Sequence, residues 1–222
     1  MPRRPRCELV IPGIPHHIIS RGNNRRRLFS YPPDYRRFLD LMHFAFNREH
    51  SPMHQTTLMP NHFHLIAIPD DEDSLSKAMK SCQQRYAQAR NRRKGASGRL
   101  FEERFWCKPL YTMDDVERVT LYNDANAMRA AMVEHPAEHV WSTCAIHYGQ
   151  PERSLIPLKM WTPSEWYVSL GPGAPDIYAE RMRQFVEGRI HHWRFDRLRE
   201  IEQLASLDCG TRMARPNGIS SR

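Results

Sequence analysis

The sequence predicts an α+β fold in which helices pack on an antiparallel sheet. The chain has 222 residues, 40% of them hydrophobic, which is enough to bury a sizeable core. Along its first 135 residues, short strand-like segments and amphipathic helices follow one another in the order β-α-β-β-α-β-α. Because two of these strands are joined directly by a short turn, the order favours an antiparallel sheet over a doubly wound parallel one.

The first half of this domain is predicted to contain a strand, a helix and a hairpin. Residues 16–20 read as a strand, and residues 21–27 form a turn and an arginine-rich loop. Asp34 is the predicted N-cap of a helix that reaches about Arg48, because apolar residues recur there at helical spacing. Residues 55–59 and 62–68 then predict two antiparallel strands joined by Pro60-Asn61.

The second half is predicted to contain two helices and a strand between them. A helix opens at Ser74 and ends before Gly95, and the aromatic stretch 98–110 is strand-like. Thr112 and Asp115 have the spacing of a capping box, so a third helix should begin there and continue to about Met132.

A domain boundary is predicted near residue 150, where prolines and glycines accumulate. Residues 1–150 would form the main domain. Residues 151–222 would form a mostly helical C-terminal extension docked on it, with helices at 177–187 and 193–207 and a loose tail from residue 210.

Charge points to a polyanionic partner. The net charge is +8 and the isoelectric point is about 9.5. Residues 1–30 hold seven arginines against one acid, and residues 85–104 form a second basic stretch. Lysines and arginines that neutralise phosphates release condensed counterions, which favours nucleic acid as the partner. The alternative interpretation is a solvated basic surface.

Other bulk features exclude several classes of protein. The five cysteines have no paired spacing, so neither a disulfide framework nor a cysteine zinc site is expected. No apolar run approaches the roughly 20 residues that a membrane span needs, and no apolar stretch follows the basic N-terminus as in a signal peptide. We therefore expect a cytoplasmic protein that does not bind membranes.

His62 and His64 are candidate metal ligands. Side chains alternate along a strand, so both imidazoles should face one side of the sheet while Phe63 and Leu65 enter the other. The alternative is a histidine pair satisfied by hydrogen bonds within a half-buried sheet.

Tyr122, Asn126 and Arg129 are predicted to share one helix face, because they are spaced four and three residues apart. A nucleophile, a possible ligand and a phosphate-binding cation would then lie in line. The alternative interpretation is a tyrosine whose ring packs against the protein while its hydroxyl stays in contact with solvent.

These motifs resemble a known family in their order along the chain. The stretch 58–66, Leu-Met-Pro-Asn-His-Phe-His-Leu-Ile, is similar to the His-hydrophobic-His strand of the HUH endonucleases, and specifically of their single-tyrosine transposases. Residues 13–29, 98–105, 122–133 and 139–142 resemble further signatures of the transposases associated with repetitive extragenic palindromes (REP). The resemblance covers roughly residues 9–150.

The resemblance implies a fold, a mechanism and a site. The fold would be the ferredoxin-like, RRM-like fold of the HUH endonucleases. Tyr122 would attack single-stranded DNA beside a hairpin and form a 5′-phosphotyrosine, and a Mg²⁺ or Mn²⁺ ion would be held by His62, His64 and Asn126. The residues expected to contact DNA are Arg21, Asn23, Asn24, Arg25, Arg26, Arg27, Arg104 and Arg129.

The resemblance also implies the partners. Unpaired bases could stack on Phe101, Phe105 or Trp106, and the alternative is that these rings belong to the core. No nucleotide cofactor is expected, since no phosphate-binding glycine loop is present. The protein would be a monomer or a homodimer that associates with the nucleoid.

The chain departs from the family pattern at one position of the tyrosine helix, and three other functions are alternatives to the one that the resemblance implies. The family's tyrosine helix usually has a proline directly after its asparagine, where this chain has Ala127, so we expect a more regular helix. The alternatives are an RNA-recognition-like binding module, a nuclease that uses metal-activated water, and a domesticated copy that binds DNA without cutting it.

Overall fold

The fold is built on a four-stranded antiparallel sheet. The computed structural model describes residues 10–102 and 104–188. The strands are β1 His16–Arg21, β2 Met53–Leu58, β3 His62–Ala67 and β4 Trp106–Pro109, in the spatial order β2-β3-β1-β4. All three pairings are antiparallel. This order is that of a split βαβ sandwich, so the predicted α+β class is confirmed.

Seven helices accompany the sheet within the described residues. They are α1 Pro32–Arg48, α2 Ser74–Lys94, α3 Met113–Asp124, α4 Asn126–Arg129, α5 Cys144–His147, α6 Glu165–Ser169 and α7 Ala174–Val186. Single 3₁₀ turns occur at Asn23–Arg25, Pro136–Glu138, Pro151–Arg153, Leu158–Met160 and Gly171–Gly173. No helix of the described chain is both long enough and apolar enough to cross a membrane.

One face of the sheet carries the hydrophobic core. Ile18, Phe63 and Leu65 are fully buried there among the apolar residues of α1 and α2, such as Phe38 and Tyr86. The Phe38 and Phe63 rings lie 4.9 Å apart. Strand alternation therefore places residues 62 and 64 on the opposite face.

The second face of the sheet carries buried polar side chains, and the free edge of β2 is covered by another segment of the chain. Residues 140–143 run beside β2, where the Leu58 N–H donates to the Trp141 carbonyl and the Thr143 N–H donates to the Thr56 carbonyl, both at 2.9 Å. Every residue of β2 is buried. Polar side chains buried in this way must be hydrogen-bonded to be tolerated, which gives this face specific geometry.

Three local predictions need correction. Asp34 is not the N-cap of α1: it is the third residue of the helix, and its carboxylate accepts the N–H groups of Ser30 and Tyr31 at 2.9 and 3.3 Å. The strand predicted over 98–110 forms only at Trp106–Pro109, although Phe101 makes an isolated bridge with Gly22.

The third correction concerns the tyrosine helix, which is not continuous. The capping box of Thr112 and Asp115 is present, but α3 ends at Asp124 and α4 begins at Asn126. Ala125, between them, has φ −78° and ψ −4°. The side chains of Asp124 and Asn126 are both hydrogen-bonded to groups outside the helix. Tertiary hydrogen bonds thus override helix propensity here.

The chain divides into two units, residues 1–182 and residues 183–222. Within the first unit, the Thr162 N–H donates to the Met53 carbonyl at 2.8 Å. The boundary near residue 150 stays a prediction. The helix predicted over 177–187 is confirmed by α7, whereas the helix predicted over 193–207 and the loose tail lie outside the described residues.

Candidate active site

The two histidines of β3 lie side by side on the polar face of the sheet. The His62 and His64 ring centroids are 5.0 Å apart, and the rings are nearly perpendicular. Phe63 between them is buried in the core on the opposite face. Period-two alternation of the strand therefore brings the two imidazoles together, as the sequence predicts.

Both histidines are neutral near pH 7. Burial, with a smaller contribution from the Arg21 charge, lowers the pKa of His62 from 6.5 to about 4. Burial also lowers the pKa of His64 well below its usual value. Repulsion from Arg21, and from His62 and His17 when these are protonated, lowers it further. A neutral imidazole keeps one nitrogen lone pair, which is the form that binds a metal ion.

Hydrogen bonds fix which nitrogen of each ring keeps its lone pair. His62 Nδ1 lies 2.8 Å from Asn61 Oδ1, so Nδ1 carries the proton and Nε2 does not. The Asn126 carboxamide nitrogen lies 3.0 Å from His64 Nε2. An amide N–H can only donate, so His64 Nε2 is an acceptor as well.

Tyr122 stands beside these histidines. Its ring meets the His64 ring edge to face at 6.0 Å between centroids, and the Arg129 guanidinium carbon lies 4.8 Å from the centre of the Tyr122 ring. The break at Ala125 therefore does not separate the three predicted residues. Tyr122 and Asn126 both contact His64, and Arg129 contacts Tyr122, so the three residues lie together as expected from their spacing.

These residues fit a weakly held divalent ion. Within residues 10–102 and 104–188, no group of three histidine, cysteine or acidic side chains is arranged to hold a metal. The available donors are the Nε2 atoms of His62 and His64 and the carboxamide of Asn126, whose oxygen would face the site if the amide were turned over. Such a set leaves coordination positions open for water and phosphate oxygens, the usual environment of Mg²⁺ in phosphoryl chemistry.

The arginine-rich loop lies at the His62 end of the site. Arg21 on β1 is paired directly with His62 on β3, so the two side chains share one face. The N–H of Gly22 donates to the Asn61 carbonyl at 2.8 Å, and the N–H of Asn23 donates to the Leu100 carbonyl at 2.8 Å. These bonds hold the beginning of the loop next to the histidines.

Most of the residues predicted to contact DNA are exposed. Arg21 and Asn23 are half-buried, whereas Asn24, Arg25, Arg26, Arg27, Arg104 and Arg129 are exposed. The two basic stretches also meet, because the Arg90 guanidinium donates to the Arg27 carbonyl at 2.7 Å. Arg93 is paired with the buried Asp34, so this arginine serves the fold as well.

Of the three aromatic residues considered for base stacking, two belong to the core. Phe105 is buried in the core, and Phe101 packs against it. Trp106 is half-buried on the polar face, with its ring edge-on to His17 at 5.6 Å between centroids. Only Trp106 therefore remains a reasonable stacking candidate.

Substituting Gly22 by alanine should disturb the loop. A Cβ at this position would lie 2.1 Å from the Arg26 carbonyl oxygen, which is far inside van der Waals contact. We expect Gly22→Ala to lower the free energy of unfolding by about 1–3 kcal/mol, measured by urea denaturation. Gly173→Ala is the control, because a Cβ there meets its nearest atom at 3.9 Å. Equal stabilities for the two variants would contradict this prediction.

A buried polar network behind His64 was not identified from the sequence. His17 Nε2 lies 3.1 Å from His64 Nδ1, and Asn123, Gln55 and Asp124 follow behind. Two signals were available: Asn123 and Asp124 interrupt the apolar stripe of α3, and alternation along β1 places His17 on the face opposite Ile18. Neither observation indicates by itself that these residues meet.

The metal-free protein should lose stability below pH 6.5. Burial lowers the folded-state pKa of His62 to about 4 and that of His17 to about 3, against 6.5 in the unfolded chain. The unfolded state therefore binds more protons as the pH falls, and stability is lost from about pH 6.5 down towards these folded-state values.

Between pH 7.5 and 5.5, each of these histidines should lower the free energy of unfolding by about 1 kcal/mol. Urea denaturation in EDTA measures this loss, and His62→Gln should remove one histidine's share. Equal free energies of unfolding at the two pH values would refute the assignment of neutral, buried histidines.

Comparisons with known proteins identify related sequences and folds. The sequence model of a family described as "Transposase IS200 like" matches residues 11–123, which include His62, His64 and Tyr122. A search of curated protein sequences finds no match to this chain. Among solved structures, a REP-associated tyrosine transposase bound to a REP hairpin is 17% identical, with a TM-score of 0.58 over 74% of this chain and 93% of that one.

The second solved structure is a crystal structure of a transposase candidate from Deinococcus radiodurans R1. It is 12% identical over 61% of this chain and 98% of that one, with a TM-score of 0.39, too low to establish a shared fold. The first structure, at its higher TM-score, supports the sandwich fold.

Proposed function

Because this chain belongs to the IS200-like transposase family, we propose that it cuts and rejoins single-stranded DNA with the Tyr122 hydroxyl as nucleophile. The observation that carries this proposal is the position of Tyr122, whose ring lies 6.0 Å from that of His64 and 4.8 Å from the Arg129 guanidinium. The Tyr122 hydroxyl, the Arg129 cation and two neutral imidazoles are therefore grouped in one site.

The reaction proposed for Tyr122 is a phosphoryl transfer. The phenol oxygen loses its proton and attacks the phosphorus, the bond from phosphorus to the 3′ oxygen breaks, and the leaving oxygen takes up a proton, which gives a 5′-phosphotyrosine and a free 3′-hydroxyl. Arg129 lies against the ring and favours the phenolate during attack. Because the covalent bond keeps the phosphodiester energy, attack by another 3′-hydroxyl rejoins DNA without ATP.

The proposal includes a divalent metal ion as the cofactor. His62, His64 and Asn126 would hold Mg²⁺ or Mn²⁺, which supplies Lewis-acid stabilisation of charge on the scissile phosphate. The chain's own contribution is to keep both histidines neutral, with the His62 proton on Nδ1 facing Asn61.

The proposed substrate is single-stranded DNA beside a hairpin. A tyrosine on a helix packed against a sheet has poor access to a phosphate inside an intact duplex, whereas unpaired DNA can be drawn into the site. The exposed arginines of residues 25–27 and Arg104 would bind phosphates, and Arg21 would do so next to His62. Another transposase of the same fold is bound to a REP hairpin, which supports this choice.

Label transfer tests the proposal. Single-stranded hairpin DNA from palindromes flanking the gene, labelled at its 3′ end, is incubated with the protein and Mn²⁺ or EDTA, then run on a denaturing protein gel. We expect label on the protein in Mn²⁺ only, and release of a free fragment when the 5′ end is labelled instead.

Two other results would reject the proposal. Cleavage that leaves no label on the protein would indicate a nuclease that uses metal-activated water. Binding without cleavage would indicate a DNA-binding protein that does not act as an enzyme.

A further inference from the structure

The hydrogen-bond chain behind His64 starts from a group whose role is fixed. Asp124 is fully buried, and its carboxylate can only accept hydrogen bonds when ionised. The Gln55 side-chain nitrogen donates to Asp124 Oδ1 at 2.9 Å and to Thr57 Oγ1 at 2.7 Å. Gln55 must therefore present its carbonyl oxygen in the other direction.

The next link orients Asn123. Its side-chain nitrogen donates to Gln55 Oε1 at 2.9 Å, which leaves Asn123 Oδ1 as a buried acceptor. His17 Nδ1 is also buried, and in the part of the chain that the structure describes neither of these two atoms has a hydrogen-bond partner at bonding distance. A proton on His17 Nδ1 directed at Asn123 Oδ1 would match these two atoms as donor and acceptor, and Asn123 does raise the pKa of His17 against the larger effect of burial, which lowers it to about 3.

The last link reaches the site itself. With its proton on Nδ1, His17 offers Nε2 as an acceptor, and this atom lies 3.1 Å from His64 Nδ1. The two rings are stacked, with centroids 5.4 Å apart and an angle of 15° between their planes. His64 Nδ1 therefore carries a proton and donates it, which leaves the lone pair of His64 on Nε2, next to Asn126.

We propose that His17 is a positioning residue that fixes the tautomer and orientation of His64, and that Asp124 sets the direction of the chain of polar side chains that leads through Gln55 and Asn123 to His17. This inference rests on the proposed metal-dependent function. Ligand histidines commonly donate their second ring N–H to a fixed partner, and loss of that partner typically weakens metal binding about 10- to 100-fold. In this protein the partner is a second imidazole, covered by the Trp106 edge.

The tautomer can be observed directly. Long-range ¹H–¹⁵N correlation NMR of metal-free, ¹⁵N-histidine-labelled full-length protein distinguishes protonated from unprotonated ring nitrogens, and His64→Gln assigns the signals. We expect His64 with a proton on Nδ1 and none on Nε2. A proton on Nε2 in the wild type would overturn the proposal, whether or not any variant folds.

Manganese affinity tests the consequence. Mn²⁺ binding without DNA is measured by electron paramagnetic resonance for three variants. His17→Phe removes the acceptor and should weaken binding about 10- to 100-fold. His17→Gln restores an acceptor near the position of Nε2 and should stay within about threefold of the wild type. His54→Phe is the control, because His54 is buried on β2 and contacts the Thr162 carbonyl, outside the network.

The outcomes separate this inference from the function on which it rests. Unchanged Mn²⁺ affinity in His17→Phe would overturn the role of His17 and leave the metal site standing. Equal weakening in His17→Phe and His54→Phe would also overturn it, because the loss would then be general destabilisation. A wild type that binds no Mn²⁺ would reject the proposed metal site, and the proposal for His17 with it.

Discussion

Tyr122→Phe is expected to abolish the covalent adduct between protein and DNA, and to lower strand cleavage at least about a thousandfold. The substitution removes only the hydroxyl oxygen. The ring remains to contact His64 and Arg129, so the variant should fold and bind DNA like the wild type. Adduct formation is followed on a denaturing gel, and DNA binding by a mobility shift.

A matched control is available in the same part of the chain. Tyr111 is 65% exposed just before α3, so Tyr111→Phe also deletes one tyrosine hydroxyl but should leave adduct formation unchanged. If Tyr122→Phe still formed an adduct, another residue would be the nucleophile. If both variants lost the adduct together, the effect could not be assigned to the chemistry of Tyr122.

Among the substitutions proposed for this protein, Asp124→Ala should cause the largest fall in the free energy of unfolding. Four side chains donate to this buried carboxylate: Gln55 at 2.9 Å, Ser142 at 3.0 Å, His147 at 2.7 Å and Tyr178 at 2.8 Å. Alanine leaves these buried donors without an acceptor, so we expect the free energy of unfolding to fall by about 3–5 kcal/mol, and the melting temperature by roughly 6–20 °C.

Asp40→Ala is the control for this experiment. Asp40 is exposed on α1, and its removal should change the free energy of unfolding by less than about 0.5 kcal/mol. Urea and thermal denaturation compare the two variants. A loss below about 1 kcal/mol in Asp124→Ala would mean that the network contributes little, and that water readily replaces the carboxylate.

Local patterns predicted the framework of this fold well. Three features depend on neighbouring residues, whose spacing is visible in the sequence. They are the strand containing His62 and His64, the hairpin to which this strand belongs, and the capping box at Thr112. The same holds for the common location of Tyr122, Asn126 and Arg129, although helical spacing alone would have required an unbroken helix.

The polar network could not be predicted, for a physical reason. Its partners are far apart in sequence: Gln55 and Asp124 are 69 residues apart, and His17 and His64 are 47 apart. A buried carboxylate is stable only when several such partners converge, and no local pattern encodes their convergence. The break at Ala125 escaped prediction for the same reason, because it depends on bonds made outside the helix.

The position of Asp124 has a consequence for the biosynthesis of the protein. During translation, the strand with the histidines and the helix with Tyr122 leave the ribosome before Ser142, His147 and Tyr178, which complete the hydrogen bonds of Asp124. In a nascent chain that ends before residue 178, Asp124 lacks the hydrogen bond from Tyr178. The proposed active site should therefore reach its final geometry only late in synthesis, when most of the chain has been made.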